Sequence, residues 1–262
     1  MSWLQAAILG LVQGMTEFFP ISSSAHVTMA RLVLGIEHTE PQVVFDLFCH
    51  LGTLVAVLFF LKREIMELFR SERKNLLLLC VALLPLIPCY FFLKPLREWV
   101  ARPEYLGFCL MATACILFLG NKYRLQREKK ESMKREVNDA LWIGTMQATA
   151  LLPGISRSAS TISCARVLGW EAQKAVRFSF LLSIPTIIGG NCLELLKMAW
   201  FSHTPFALPF SLCAIGFFTS CSAGLLIIGR AMALLEKGKI ERFAWYCLVI
   251  GALAIYYLFI RK

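Results

Sequence analysis

The chain has 262 residues, of which 58% are hydrophobic and only 17% are charged, and its mean hydropathy is +0.64. About a quarter of the residues in a soluble domain are charged. The composition therefore excludes an ordinary soluble protein and favours several membrane-spanning helices. The net charge is +10, but the basic residues fall between the apolar segments. They indicate membrane topology and contacts with lipid headgroups, so no nucleic-acid partner is expected.

The first half of the chain, 1–120, begins with an apolar stretch at 4–35 that is interrupted by the sequence PISSS at 20–24. Three continuous apolar segments follow, and each is long enough to cross a bilayer as a helix. These predicted spans are 43–61, 76–93 and 104–120. The charged segment that comes next, 121–139, is interpreted as a solvated linker on the cytoplasmic side.

The second half, 140–262, repeats this order. It begins with an apolar stretch at 141–169 that is interrupted by PGISRS at 153–158, and three more predicted spans follow at 175–196, 206–229 and 243–260. The arms on either side of each interruption have about 12 to 16 residues, too few to cross the membrane alone. Proline ends a helix, and the serines and glycine favour a turn followed by a helix cap. Such backbone is tolerated at membrane depth only inside protein or beside a wet cavity, so we predict two re-entrant hairpins.

The two interrupted stretches are related to each other. A shift of 134 residues aligns them without a gap, and nine of the 26 positions between 10 and 35 are identical, among them Gly10 with Gly144 and Gln13 with Gln147. Three spans per repeat is an odd number, so the second repeat starts on the opposite side of the membrane. The sequence therefore predicts an all-α integral membrane protein with an inverted repeat, whose hairpins enter from opposite faces and meet near the midplane.

Loop charge predicts the orientation. The loops on one side carry 16 Lys and Arg residues, whereas those on the side of the N-terminus carry seven. The more basic side is expected to be cytoplasmic. The N-terminus and the first hairpin would then open to the outside.

The interruption of the first hairpin is rich in side chains that can do chemistry. Glu17 lies just before it and Gln13 lies one helical turn earlier on the same face, while Ser22, Ser23 and His26 follow it. Ionisable residues at membrane depth are costly and indicate function. A hydroxyl and an imidazole three residues apart suggest a nucleophile and a base. The alternative for the serines is helix capping, and for the histidine a structural hydrogen bond.

The second hairpin offers the opposite charge. Arg157 lies between Ser156 and Ser158, with Thr161 one turn further on. A guanidinium beside two helix N-termini suits a phosphate group. Because Glu17 would repel that phosphate, a divalent cation between them is expected, either Mg²⁺ or Ca²⁺ held by oxygen atoms. A further polar pair, Asp46 and His50 within one span, is interpreted as an interhelical hydrogen-bonding pair.

These two motifs resemble those of a known family. QGMTE at 13–17, followed by PISSSAH at 20–26, resembles its (E/Q)xxxE motif and the segment after it, and PGISRSAST at 153–161 resembles its PGxSRSxxT motif. The family is that of the bacterial undecaprenyl-pyrophosphate phosphatases associated with bacitracin resistance. The resemblance implies a C55 polyprenyl diphosphate lipid as substrate and recycling of the monophosphate carrier for peptidoglycan synthesis.

The resemblance also implies roles for the residues. Glu17 and Gln13 would be ligands of the metal or the diphosphate, although glutamine contributes no charge there. Ser23 would be the nucleophile with His26 as its acid–base partner, and Arg157 would hold the diphosphate. The substrate-binding hydroxyls would be those of Ser22, Ser156, Ser158 and Thr161.

Two alternatives remain open at the level of the sequence. Inverted repeats with broken helices are also typical of transporters, so a lipid-phosphate flippase is the competing function. A phosphoserine intermediate at Ser23 and direct attack by water are equally compatible with the motifs. A homodimer is the candidate oligomeric state.

Overall fold

A computed structural model describes residues 1–36, 40–125, 132–201 and 208–260. Within these ranges the chain forms helices and no strand, and two short 3₁₀ turns precede α8 and follow α9. The helices are α1 (Trp3–Thr16), α2 (Ser23–Val33), α3 (Glu40–Phe60), α4 (Lys62–Arg70), α5 (Arg73–Leu83), α6 (Leu86–Phe92), α7 (Lys94–Val100), α8 (Leu106–Lys122), α9 (Met133–Ala148), α10 (Arg157–Val167), α11 (Ala172–Phe201), α12 (Phe210–Glu236) and α13 (Glu241–Ile260).

Six helical segments in the described residues are long and apolar enough to cross a membrane. They are Gln42–Phe60, Arg73–Phe92, Pro103–Lys122, Ala172–Trp200, Phe210–Glu236 and Glu241–Leu258. The prediction of six spans in an all-α membrane protein is confirmed. The second of them consists of α5 and α6, which are separated at Leu84 and Pro85. The start of the fifth predicted span, 206–207, lies outside the described residues.

The second part of the segment predicted as a linker, 121–139, belongs to helix α9. Residues 126–131 lie outside the described part of the chain, but α9 already begins at Met133, where Ser132 caps it. Glu136 in its first turn is buried, because Lys74 and Lys174 both lie beside its carboxylate. A charge that is paired can be buried where a single charge cannot. A high density of charged residues therefore does not require the whole segment to be a solvated loop.

Both interrupted stretches turn back to the face where they start. In the first, the Gln5 side chain near the start of α1 donates to the carbonyl oxygen of Leu34, just after α2, at 3.2 Å. In the second, Trp170 Nε1, just after α10, donates to Asp139 Oδ2, near the start of α9, at 2.8 Å. The 11-residue arms α2 and α10 therefore do not cross the bundle.

The first arm of each hairpin packs closely against one span. Helix α1 runs parallel to α12, and α9 runs parallel to α5. Two glycines at equivalent positions of the repeat allow these helices to approach each other closely. A Cβ at Gly10 would collide with α12 at Gly216, and a Cβ at Gly144 would collide with α5 at Ala82. The structure thus explains why the shift of 134 residues pairs Gly10 with Gly144, while the repeat itself stays a sequence prediction.

The main apolar core surrounds the two hairpin tips. Phe18 and Ile21 of the first hairpin and Ala159 and Ile162 of the second are buried in one cluster with residues of α3, α8, α11, α12 and α13. Large apolar side chains on the outer faces of the spans, such as Phe218, are exposed, as expected for surfaces that face lipid. The tips are therefore fixed in position inside the bundle.

Candidate active site

The two tips solve the same turn in different ways. In the second hairpin Gly154 adopts a positive φ of 94°, and Ser156 then caps α10 from an extended conformation by accepting from the amide of Ala159 at 3.2 Å. The first hairpin has Pro20 in the position equivalent to Gly154, and proline cannot adopt a positive φ. There the positive φ, 67°, falls on Ser22, which is itself the cap of α2.

The tips contact each other directly. The amide of Gly154 donates to Ser24 Oγ at 3.3 Å, and Ser158 Oγ donates to the carbonyl oxygen of Phe19 at 3.2 Å. Beside these contacts lies an ion pair, in which Arg157 Nη2 is 3.1 Å from Glu17 Oε1. The structure therefore brings the Glu17 carboxylate of one hairpin and the Arg157 guanidinium of the other into one site, as the motifs predict.

The Glu17 carboxylate is the centre of this site. Its Oε1 accepts a hydrogen bond from Arg157 Nη2. Its Oε2 accepts hydrogen bonds from Ser23 Oγ at 2.7 Å and from Gln13 Nε2 at 2.9 Å. The Glu17 side chain is only 8% exposed, and its three charged or polar donors offset the cost of burying it. A carboxylate that accepts a hydrogen bond from a hydroxyl at this distance is well placed to take its proton during nucleophilic attack.

Helix α11 holds the Arg157 side chain in place through Ser179. Its Nη1 donates to the carbonyl oxygen of Ser179 at 3.3 Å, and the Ser179 hydroxyl lies 2.7 Å from Thr161 Oγ1. Thr161 also donates to the Arg157 carbonyl at 3.0 Å. These bonds fix the direction of the guanidinium fork, of whose five N–H donors two are used by Ser179 and Glu17. Ser179 was not found from the sequence, because a serine inside an apolar span carries no distinct signal.

His50 approaches Glu17 from α3. Its Nδ1 lies 3.0 Å from Gln13 Nε2 and 3.9 Å from Glu17 Oε2. Asp46 and His50, interpreted from the sequence as an interhelical hydrogen-bonding pair, each contact another helix: Asp46 binds Arg31 of α2 and His50 binds Gln13 of α1. One helix thus contacts both arms of the first hairpin, and His50 belongs to the site itself.

His26 does not contact Ser23 in this structure. Its Nδ1 lies 2.8 Å from the carbonyl oxygen of Ser22, and its Nε2 lies 2.8 Å from the hydroxyl of Tyr246 on α13. Both ring nitrogens therefore have other partners, whereas Ser23 is bonded to Glu17. Tyr246 was missed by sequence reasoning, because a tyrosine near the end of a span resembles an interfacial anchor.

The hydroxyls predicted to bind substrate are engaged within the hairpins. Ser22 and Ser156 cap their helices, Ser158 contacts the opposite tip and Thr161 supports Arg157. All four residues are buried. In this structure they hold the backbone of the tips, which is the capping alternative considered for the serines.

The site provides few anionic ligands for a metal ion. Glu17 is its one carboxylate, and no group of three or more His, Cys, Asp and Glu residues within the described part of the chain could hold a metal. Gln13 points its Nε2 at Glu17 and His50, so its amide acts as a donor there. The residues fit an ion that is shared with a phosphate ligand, as Mg²⁺ commonly is, better than a preformed protein cage.

Comparison with known proteins identifies the family. The family model described as "Bacitracin resistance protein BacA" matches residues 6–253, nearly the whole chain. This chain belongs to the BacA family. Among its relatives, the undecaprenyl-diphosphatase of Protochlamydia amoebophila is 43% identical over 94% of this chain and 95% of the relative. The undecaprenyl-diphosphatase of Desulforudis audaxviator is 35% identical over 97% of each chain. The enzyme of the same name from Parabacteroides distasonis is 34% identical over 97% of this chain and 98% of its own length.

Proposed function

We infer that this chain is an undecaprenyl-diphosphatase, which hydrolyses undecaprenyl diphosphate to undecaprenyl phosphate and inorganic phosphate. Membership of the BacA family and relatives of that name over almost the full length support this function. The observation that carries the mechanism is the contact of Ser23, Glu17 and Arg157 where the two hairpin tips meet. The product would return to the cell-wall pathway as a lipid carrier.

The chemistry follows from these contacts. Ser23 Oγ attacks the terminal phosphorus, its proton passes to Glu17 Oε2 at 2.7 Å, and the bond to the bridging oxygen breaks to release undecaprenyl phosphate. Water then hydrolyses the phosphoserine. Arg157 and the backbone N–H groups at the starts of α2 and α10 stabilise the charge that spreads over the phosphoryl oxygens. The alternative, direct attack by water, would use Glu17 in the same way.

The roles of the other residues are proposed from their observed contacts. Glu17 would be the protein ligand of a Mg²⁺ or Ca²⁺ ion that is shared with the diphosphate, and such an ion supplies charge neutralisation. Gln13 would orient Glu17 rather than bind the ion by itself, because its amide donates to the carboxylate. Ser22, Ser156, Ser158 and Thr161 would serve the substrate by holding the tips and Arg157 in place.

The surroundings suit a lipid substrate. Only the diphosphate needs to reach the polar tips, while the polyprenyl tail can lie against the apolar outer faces of the spans. The loop charges support a location in the bacterial inner membrane with the site open to the periplasmic face. A transporter would explain the arginine and the helix N-termini, but it would not need a serine hydroxyl bonded to a buried carboxylate.

The first experiment is phosphate release from undecaprenyl diphosphate by the purified protein in detergent. Wild-type protein is assayed with Mg²⁺, with Ca²⁺ and with EDTA, beside Glu17→Ala. Metal-dependent release that the substitution abolishes is expected. A folded protein that releases no phosphate but moves the lipid between the leaflets of liposomes would favour the transporter instead.

A further inference from the structure

His26 and Tyr246 connect the first hairpin to the last helix of the chain. Their rings stack with centroids 5.6 Å apart and an interplanar angle of 9°, in addition to the 2.8 Å bond between Nε2 and the hydroxyl. The partners define the protons. A carbonyl oxygen can only accept, so His26 Nδ1 carries the hydrogen that points at the Ser22 oxygen. In the neutral ring Nε2 is then an acceptor, and the Tyr246 hydroxyl donates to it.

The bond from His26 Nδ1 to the Ser22 carbonyl oxygen holds a residue with a strained backbone. Ser22 has a φ of 67° and a ψ of 94°, a conformation that non-glycine residues rarely adopt. Its carbonyl oxygen receives both the amide of His26 at 3.3 Å and His26 Nδ1 at 2.8 Å. These two bonds fix the peptide plane between Ser22 and Ser23. Because that plane sets the direction in which Ser23 leaves the turn, it also sets where Ser23 Oγ meets Glu17.

Helix α13 holds the tip at neighbouring positions on the same face. Phe243, one turn before Tyr246, packs against Phe19 with ring centroids 5.3 Å apart. Cys247 Sγ lies 3.8 Å from the carbonyl oxygen of Pro20. The contacts at 243, 246 and 247 thus reach residues on both sides of the strained turn. Among the three, only Tyr246 offers a hydroxyl to orient a side chain.

We propose that Tyr246 is a positioning residue of the phosphatase: it orients the His26 ring, which fixes the Ser22–Ser23 peptide and thereby presents Ser23 Oγ to Glu17. The proposal rests on the proposed function for its kinetic consequence, but not for the state of His26. It assigns to His26 a supporting role in place of the base predicted from the motif. It also makes the last helix of the second half part of the machinery of the first hairpin.

Tyr246→Phe is the direct test, because it keeps the stacked ring and removes only the hydroxyl. Misplacement of a reacting atom by 1 Å can cost about 100-fold in rate, and loss of one orienting bond is expected to lower kcat by roughly tenfold with KM nearly unchanged. Tyr256→Phe is the matched control, since Tyr256 lies on the same helix with a side chain that is 64% exposed. It should retain wild-type kcat.

A double-substitution cycle separates positioning from direct catalysis. In a His26→Ala background, Tyr246→Phe is expected to cause no further loss, because its effect passes through the missing ring. A full additional loss in that background would overturn the proposal, as would unchanged kcat in the single variant.

A readout without substrate keeps the test valid if His26→Ala does not fold. Side-chain ¹⁵N NMR of the detergent-solubilised protein should show one His26 tautomer, protonated at Nδ1, in the wild type. In Tyr246→Phe the unheld ring should turn away from the Ser22 carbonyl oxygen in part of the molecules, so a mixture of tautomers is expected. The same spectrum in both proteins would contradict the proposal. A wild-type protein that shows the predicted tautomer but does not hydrolyse undecaprenyl diphosphate would instead contradict the proposed function.

Discussion

Glu17 and Arg157 are 140 residues apart in the chain, and their side chains meet at 3.1 Å between the tips of the two hairpins. Neither side chain is more than 16% exposed. Each hairpin alone would bury an unpaired charge, so the two tips are electrostatically complementary. The ion pair therefore links the assembly of the two halves to the formation of the site.

Substitutions of this pair should separate stability from activity. Arg157→Ala leaves a buried, unpaired carboxylate, which typically costs about 3–5 kcal/mol. Its thermal unfolding temperature in detergent is expected to fall, and phosphate release is expected to decrease by at least about 100-fold because a main charge-stabilising group is lost.

The double variant Glu17→Gln/Arg157→Met removes both charges together. It should unfold at a higher temperature than Arg157→Ala while remaining inactive, since both catalytic groups are gone. Wild-type turnover in Arg157→Ala would refute the site assignment.

The Ser23 hydroxyl is expected to be essential in a way that its neighbour is not. Ser23→Ala removes the group bonded to Glu17 and should lower kcat by about 10²–10⁴-fold. Ser24→Ala removes an acceptor for the Gly154 amide and should mainly reduce stability, by about 1 kcal/mol.

An intermediate can be sought directly at this position. Acid quenching after a few milliseconds with substrate labelled in the terminal phosphate should leave label on the peptide that contains Ser23. Absence of label under single-turnover conditions would favour attack by water, with Glu17 as its base.

Metal dependence should respond to the residue one turn before Glu17. Hydrolysis is expected to stop with EDTA and to return with Mg²⁺ or Ca²⁺. Gln13→Glu adds a second carboxylate at i−4 from Glu17, so the metal concentration for half-maximal activity should decrease by about tenfold, or about 1.4 kcal/mol in binding. Gln13→Ala is the companion variant; a lower requirement there as well would contradict a charge effect.

The orientation inferred from loop charge is tested by cysteine labelling. Ser24→Cys at the exposed edge of the first tip should react with a membrane-impermeant maleimide added from the periplasmic side. Lys239→Cys, in the turn between α12 and α13, should react only from the cytoplasmic side. The parent protein, with its ten native cysteines, gives the background. Labelling of Ser24→Cys from the cytoplasm alone would reverse the predicted orientation.

Much of the architecture was predictable because it depends on local properties of the sequence. Apolar length defined the six spans, and proline, glycine and serine defined where the two hairpins turn. The motifs named Glu17, Ser23 and Arg157, since charged and hydroxyl groups at membrane depth are rare unless they have a function. The burial of Glu136 in the first turn of α9 was missed because the charge pattern around it resembles that of a loop, and its lysine partners lie far away in sequence.

The sequence by itself determined the membrane class, the positions of the breaks and the chemical groups of the site. Only the tertiary structure decided which groups act together. Ser23 pairs with Glu17 and not with His26, and His50 and Tyr246 enter from α3 and α13. Spacing along one helix specifies a shared face, but the partner across an interface depends on the packing of helices that are distant in the chain. The turn at Ser22 shows both contributions. Its position follows from the local sequence, whereas the contact of His26 with Tyr246, more than 200 residues later than Ser22, depends on the tertiary structure.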